Sequence, residues 1–185
     1  GEGHAEWQYT NGQKYLEVSA RDHYELGILE GKALEKKVRR LKKLIKAMKV
    51  IFNRKAIHET LSKFGEFIPQ NLREEMKGIA SAVKGVSFRD VLLQNCMIDI
   101  IYGELMPKHH DHPVLKSIDF GCTVFGALNH GSPIIGQNFD LGIIFRPCLS
   151  FVHVKLPSIP EHFSLRFGGV LATPPARNDK GLTLA

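Results

Sequence analysis

Apolar residues recur along this chain at two different periods, and the change falls beyond its middle. In the first part the spacing is helical. Leu34, Val38, Leu41, Ile45, Met48 and Phe52 return every three or four residues and form a narrow stripe, the mark of one helix face against a core. With Ser19 and Asp22 as start signals, this predicts one long helix from about Asp22 to Phe52. Gly27 and Gly31 fall inside it as weak points, and their spacing lets a second backbone approach closely. A shorter helix is predicted from Ile57 to Phe64. A third begins at Pro69, a residue tolerated in a first turn, and ends near Lys84 and Gly85. Ser87 and Asp90 form an S-x-x-D capping box ahead of "VLLQNCMIDIIYGEL", which is apolar nearly all round and so predicts a buried helix holding Cys96.

"MPKHHDHPVLKSID", residues 106–119, breaks the pattern with Pro107 and Pro113 and reads as a loop. Beyond Gly121 the texture changes. "CTVFGAL", "PIIGQNF", "LSFVHVKL" and "HFSLRFGGV" are short, β-prone and bounded by Pro, Gly and Asn. Helices first and antiparallel strands afterwards make an α+β pattern. "GEGHAEWQYTNG" reads as a processed start or an expression remnant.

At 185 residues the chain has the length of one domain. No run of eighteen apolar residues occurs, so no membrane span is expected. The net charge of +6 is concentrated in "KALEKKVRRLKKLIKAMK". Such a run suits nucleic acid or an anionic membrane, or the solvated face of an amphipathic helix carrying Lys36, Lys37, Arg40, Lys43 and Lys46. No aromatic residues interleave it as a stacking platform requires, which favours the solvated face and no nucleic-acid partner. Dinucleotide-binding and P-loop patterns are absent, and no cofactor is expected. His109, His110 and His112 lie close together, but no second ligand cluster accompanies them, so no metal site is expected either.

The three cysteines, Cys96, Cys122 and Cys148, are odd in number and widely spaced. That argues against a disulfide framework and leans towards a reducing compartment. It also leaves a thiol free for chemistry. "NHGS" reads as the turn of a hairpin. With Asn129 opposite Ser132, Cys122 faces Phe139 and Asp140 is one step away. Asp140 can then accept a hydrogen bond, and Asn138 and Gln137 can donate. A break between Gly121 and Cys122 would give the cysteine a free α-amine, whose ordinary pKa is about 7.7–8.0. That amine can serve as base for its own thiol, so no histidine is needed. Arg146, Cys148, His130 and His153 read as a surface residue, an inert strand-start thiol, a turn residue and a sheet residue.

"GCTVFGALNHGSPIIGQNFD" resembles the nucleophile segment of the acyl-coenzyme A:6-aminopenicillanate acyltransferase-like peptidases, which are N-terminal nucleophile (Ntn) hydrolases. The matching residues are Gly121, Cys122, Thr123, Gly136, Gln137, Asn138 and Asp140, with Asp140 eighteen residues after Cys122. "YLEVSARDHYELGILEGKAL" is similar to that family's N-terminal segment, and "GVSFRDVLLQNCMIDI" to the helix before its processing loop. The resemblance implies an αββα sandwich of antiparallel sheets, only partly covered here. It implies self-cleavage between Gly121 and Cys122, then cleavage or transfer of an acyl group at an amide or thioester through an acyl-Cys122 intermediate. Residues 1–121 would form a mainly helical fragment ending in a processing loop at 106–121, and residues 122–185 would begin the β fragment. Cys122, Asp140 and Asn138 would be the site residues and a small acyl amide or thioester the substrate. Gln137 stands where related bile-salt and ceramide amidases carry Arg, which favours the acyltransferase-like branch. The family's later catalytic Asn and Arg lie downstream of the hairpin. The expectation is therefore a longer protein, or a second chain that completes the fold. A non-catalytic binding protein on the same fold, and a basic-helix protein, are the alternatives.

Overall fold

A computed structural model describes residues 2–51, 54–108, 111–113, 121–140 and 142–185. The chain is mixed α+β, with a six-stranded sheet, a helical layer and a separate two-stranded ribbon.

The fold does not begin with helices. β1 (His4–Thr10) and β2 (Gln13–Ser19) form an antiparallel hairpin closed by Asn11 and Gly12. Both turn residues have positive φ, 48° and 77°, as a two-residue turn matched to strand twist demands. Leu16 and Val18 are fully buried, and they alternate with partly exposed Tyr15 and Glu17. The expectation of helices first is thus corrected, since two strands precede them. Further along, β5 (Leu149–Lys155), β6 (His162–Phe167), β7 (Val170–Asn178) and β8 (Thr183–Leu184) complete the sheet in the order β1-β2-β5-β6-β7-β8. β2 and β5 run parallel, with Leu16 beside Val152 and Val18 beside Val154. The other neighbours are antiparallel.

The long helix of the sequence reading is two helices. α1 (His23–Ala33) is capped by the Asp22 carboxylate, which accepts from the Glu25 amide at 2.8 Å. It ends at Leu34, whose backbone leaves the helical range at φ −107° and ψ 13°, and α2 (Glu35–Ile51) starts at the next residue. The break separates two kinds of face. α1 buries Leu26, Gly27, Glu30 and Gly31, whereas α2 buries the apolar stripe, with Leu34, Val38, Leu41 and Ile45 all at 3% exposure or less. Phe52 lies outside the described residues. α3 (Arg54–Glu66) and α4 (Gln70–Ala82) follow. α5 (Phe88–Ile100) carries the expected capping box at Ser87 and Asp90, then continues through a π-helical turn over Ile101–Leu105.

α1 and α4 cross at near contact. A Cβ built on Gly27 would lie 2.0 Å from the Glu75 carbonyl oxygen, and one on Gly78 would lie 2.1 Å from that of Tyr24. Beside this crossing sits a buried ionic cluster. Arg166 of β6 donates to both carboxylate oxygens of Glu30, at 2.9–3.2 Å, and approaches Glu75 at 3.7 Å. His23 Nδ1 meets Glu75 at 3.0 Å. A buried arginine is tolerable only with such partners. The cluster ties the sheet to both helices.

The basic run is only partly a solvated face. Lys42 donates to the Gly85 carbonyl at 2.6 Å and pairs with Asp90 at 2.9 Å. Lys37 is half-buried and donates to the Leu149 carbonyl and the Ser150 hydroxyl, against the expectation that it faces water. Among the described residues no helix is long and apolar enough to cross a membrane.

Candidate functional site

β3 (Gly121–Asn129) and β4 (Ser132–Asp140) form the two-stranded ribbon. His130 and Gly131, at φ 49° and 82°, make its turn. The register pairs Asn129 with Ser132, Cys122 with Phe139 and Gly121 with Asp140. This is the register that "NHGS" implies as a tight turn. Side chains alternate across a strand, so Cys122, Phe139 and Gln137 share one face, while Thr123, Asn138 and Asp140 share the other.

The expected site residues therefore divide into two groups. Asn138 Nδ2 donates to Asp140 Oδ1 at 2.7 Å. The Asp140 carboxylate leans over the Gly121 backbone, where an added Cβ would meet Asp140 Oδ2 at 3.2 Å. Glycine at 121 thus lets a carboxylate settle beside the Gly121–Cys122 peptide. The Cys122 side chain points away from that carboxylate.

Of the three thiols only Cys122 is exposed. Burial pushes the Cys96 thiol up to about 11 and raises that of Cys148 as well. A thiolate is the reactive form, so both are held away from it, as a core and an inert role require. His153 is committed elsewhere, between Glu17 at 3.2 Å and Glu161 at 2.8 Å, with its ring stacked on Phe163. Arg146 is exposed. His109, His110 and Ser117–Phe120 of the expected processing loop lie outside the described residues. Among the described residues no three His, Cys, Asp or Glu side chains converge as metal ligands.

Cys122 and Phe139 border a cavity of about 440 Å³, with Leu41, Ile45, Ile101, Phe145, Phe167 and Val170 among its walls. Among the described residues no charged side chain lines it. Its amide side chains are already engaged. Gln94 holds the Val38 carbonyl and the Gly169 amide; Asn95 holds the Val91 and Gly169 carbonyls and the Leu171 amide. The space offers contact to apolar groups of a bound molecule and little else. Sequence reasoning missed this wall. Leu41 and Ile45 were visible as a helix stripe, but their meeting with Phe145 and Phe167 depends on the fold.

Gln137 has a different fate. Its Oε1 is buried with no hydrogen-bond partner among the described residues. A buried amide oxygen left so costs about 1–3 kcal/mol, a penalty that a bound donor would remove.

No protein-family model matches the chain, and the search of curated proteins returned no match.

Proposed function

We propose that this chain is a self-processing cysteine amidohydrolase or acyltransferase of the Ntn type, related to the acyltransferase-like peptidases. The reading rests on one observation above all. The only exposed thiol opens a strand directly after glycine, beside an apolar cavity, while a carboxylate lies against the peptide that would be cut.

In processing, Cys122 Sγ attacks the Gly121 carbonyl carbon. The C–N bond breaks, the thiol proton passes to the departing nitrogen, and a thioester forms. Water then hydrolyses the thioester. Gly121 leaves as a carboxylate and Cys122 regains its thiol, now with a free α-amine. Asp140, held by Asn138, accepts a hydrogen bond from that ammonium and orients it.

In turnover the α-amine takes the thiol proton and the thiolate attacks the substrate carbonyl. The tetrahedral oxyanion needs hydrogen-bond donors, part of which the reading assigns to protein beyond these residues. The α-ammonium returns the proton to the leaving amine (or thiolate). Water, or an acceptor amine, then releases the acyl group. The apolar side chains that line the cavity beside Cys122 suit the apolar part of that group.

The ribbon supports a further part of the reading. Phe125, Leu128, Ile134 and Ile135 are 44–76% exposed and lie on both of its faces, and a two-stranded ribbon is marginally stable alone. A C-terminal continuation or a second chain would add strands beside it and complete an αββα sandwich.

Intact mass under denaturing, reducing conditions, with N-terminal sequencing, tests the proposal. Two fragments are expected, one beginning Cys-Thr-Val-Phe, and Cys122→Ala should abolish both processing and turnover. Normal processing of that variant refutes the mechanism. An uncut chain whose Cys122 is inert to iodoacetamide would leave a binding protein built around the same cavity.

A further inference from the structure

Phe139 is a shared wall. On one side is the apolar cavity beside Cys122. On the other is a second cavity of about 430 Å³, bordered by Trp7, Lys14, Lys37, Gln137, Ser150 and Phe151 among others. Its chemistry is the opposite of the first.

Two ammonium groups converge there on one indole. Lys14 Nζ lies 4.5 Å from the centre of the Trp7 ring and Lys37 Nζ lies 6.0 Å from it. Neither lysine has an ion-pair partner among the described residues. Burial lowers the pKa of Lys37; Cys148 opposes that shift, and the charge of Lys14 adds to it. Two like charges are thus gathered over an aromatic face with no anion to balance them. Gln137 belongs to the same lining, and its buried oxygen has no donor among the described residues. Among the described residues no acid lines the cavity, and no donor reaches the Gln137 oxygen.

We propose that this second cavity binds the leaving portion of the substrate, and that this portion carries a carboxylate next to its amide nitrogen: an N-acyl amino acid. This rests on the acyl-transfer reading of Cys122. The carboxylate pairs with Lys14 and Lys37, and the amide N–H donates to Gln137 Oε1. The acyl chain lies beyond Phe139 in the apolar cavity. The scissile carbonyl falls between them, next to Cys122, whose hairpin partner is Phe139. Phosphate fits less well, because the Gln137 oxygen is an acceptor and repels a second acceptor. The sequence alone hid this site, since Trp7 and Lys14 belong to the unrecognised N-terminal hairpin.

Trp7 is the only tryptophan of the chain, so its fluorescence reports occupancy directly. The experiment titrates the full chain carrying Cys122→Ala, which binds without turnover, with N-octanoylglycine and with the neutral N-octanoylglycinamide. The acid is expected to shift Trp7 emission saturably and to bind at least about tenfold more tightly than the amide, as a charge-assisted contact is worth. Lys14→Gln, at an exposed position, and Lys37→Met should each erase most of that preference. Circular dichroism checks that each variant is folded, and Lys14→Gln alone carries the test if Lys37→Met is not. Equal affinity for acid and amide, absence of binding, or an acid preference that survives Lys14→Gln overturns the proposal. The two readings fail separately. Charge-dependent binding to a protein whose Cys122 proves inert keeps the cavity and removes the catalysis. Turnover of octanoyl amides with no preference for a carboxylate does the reverse.

Discussion

Gly121 and Asp140 carry the sharpest consequence of a single residue pair. The carboxylate lies over the glycine because there is no Cβ to hold it off. Asp140→Asn keeps the shape and removes the charge that would steady a new ammonium. The expected result is slowed processing and a turnover loss of about tenfold or more, the size of one charge-assisted hydrogen bond. Gly121→Ala crowds Asp140 at 3.2 Å and should slow cleavage while leaving thermal stability nearly unchanged, since the ribbon is largely exposed. Mass spectrometry over time separates these rates. Equal processing in the Asp140→Asn variant would remove Asp140 from the site. At this scale the sequence was informative. "NHGS" sets the ribbon register, and the register brings Asp140 to Gly121. What the register alone does not show is that Cys122 borders an apolar cavity while Asp140 lies against the Gly121 backbone.

Between elements, the contact most sensitive to change is the crossing of α1 and α4. Gly27→Ala or Gly78→Ala places a methyl group against backbone that cannot yield, so the helices must separate. Overpacking of this kind costs about 1–3 kcal/mol, sometimes more, and denaturant unfolding would read it. Gly103→Ala, with open space around it, is the control and should cost far less. The same crossing holds His23 against Glu75. That hydrogen bond raises the histidine's pKa above its ordinary value. A raised pKa means the contribution is fully present below the unfolded value of about 6.5. It is lost as pH rises through the folded value. Melting temperature should therefore fall as pH rises above about 6.5, and His23→Gln should flatten that part of the profile. An unchanged slope would show that His23 is not the group responsible. These contacts explain why the long predicted helix is two. The stripe from Leu34 to Ile45 is apolar and visible to periodicity, whereas the α1 face is Gly27, Glu30 and Gly31. Hydrophobic patterning does not register a face made of glycine and a buried acid. The N-terminal hairpin was legible in principle, because Asn11-Gly12 is a strong turn signal between alternating runs. Reading residues 1–12 as a processed start or an expression remnant leaves that signal unused.

Across the whole molecule, the parallel pairing of β2 with β5 binds together the two parts that the proposed cut would separate. Residues 1–121 contribute β1, β2 and the helices, and residues 122–185 contribute β5 to β8. The ladder from Tyr15–Phe151 to Ser19–Lys155 crosses the division. So do the Arg166–Glu30 pair and the Asn95 bonds to Gly169 and Leu171. Leu16, Val18, Val152 and Val154 share one core with the helices. A cut at 121–122 falls outside all of these contacts. The fragments should thus stay together as one particle by native mass spectrometry or gel filtration and separate only under denaturing conditions. The cut form, whether self-made or produced at an inserted protease site in residues 114–120, should retain most of the uncut chain's resistance to denaturant. Arg166→Met combined with Glu30→Leu should not release them, because an apolar replacement of a buried pair is often tolerated. Arg166→Met alone, which strands Glu30, should weaken the association strongly. Fragments that drift apart on dilution while Arg166 is intact would mean that the shared sheet does not hold the two parts together.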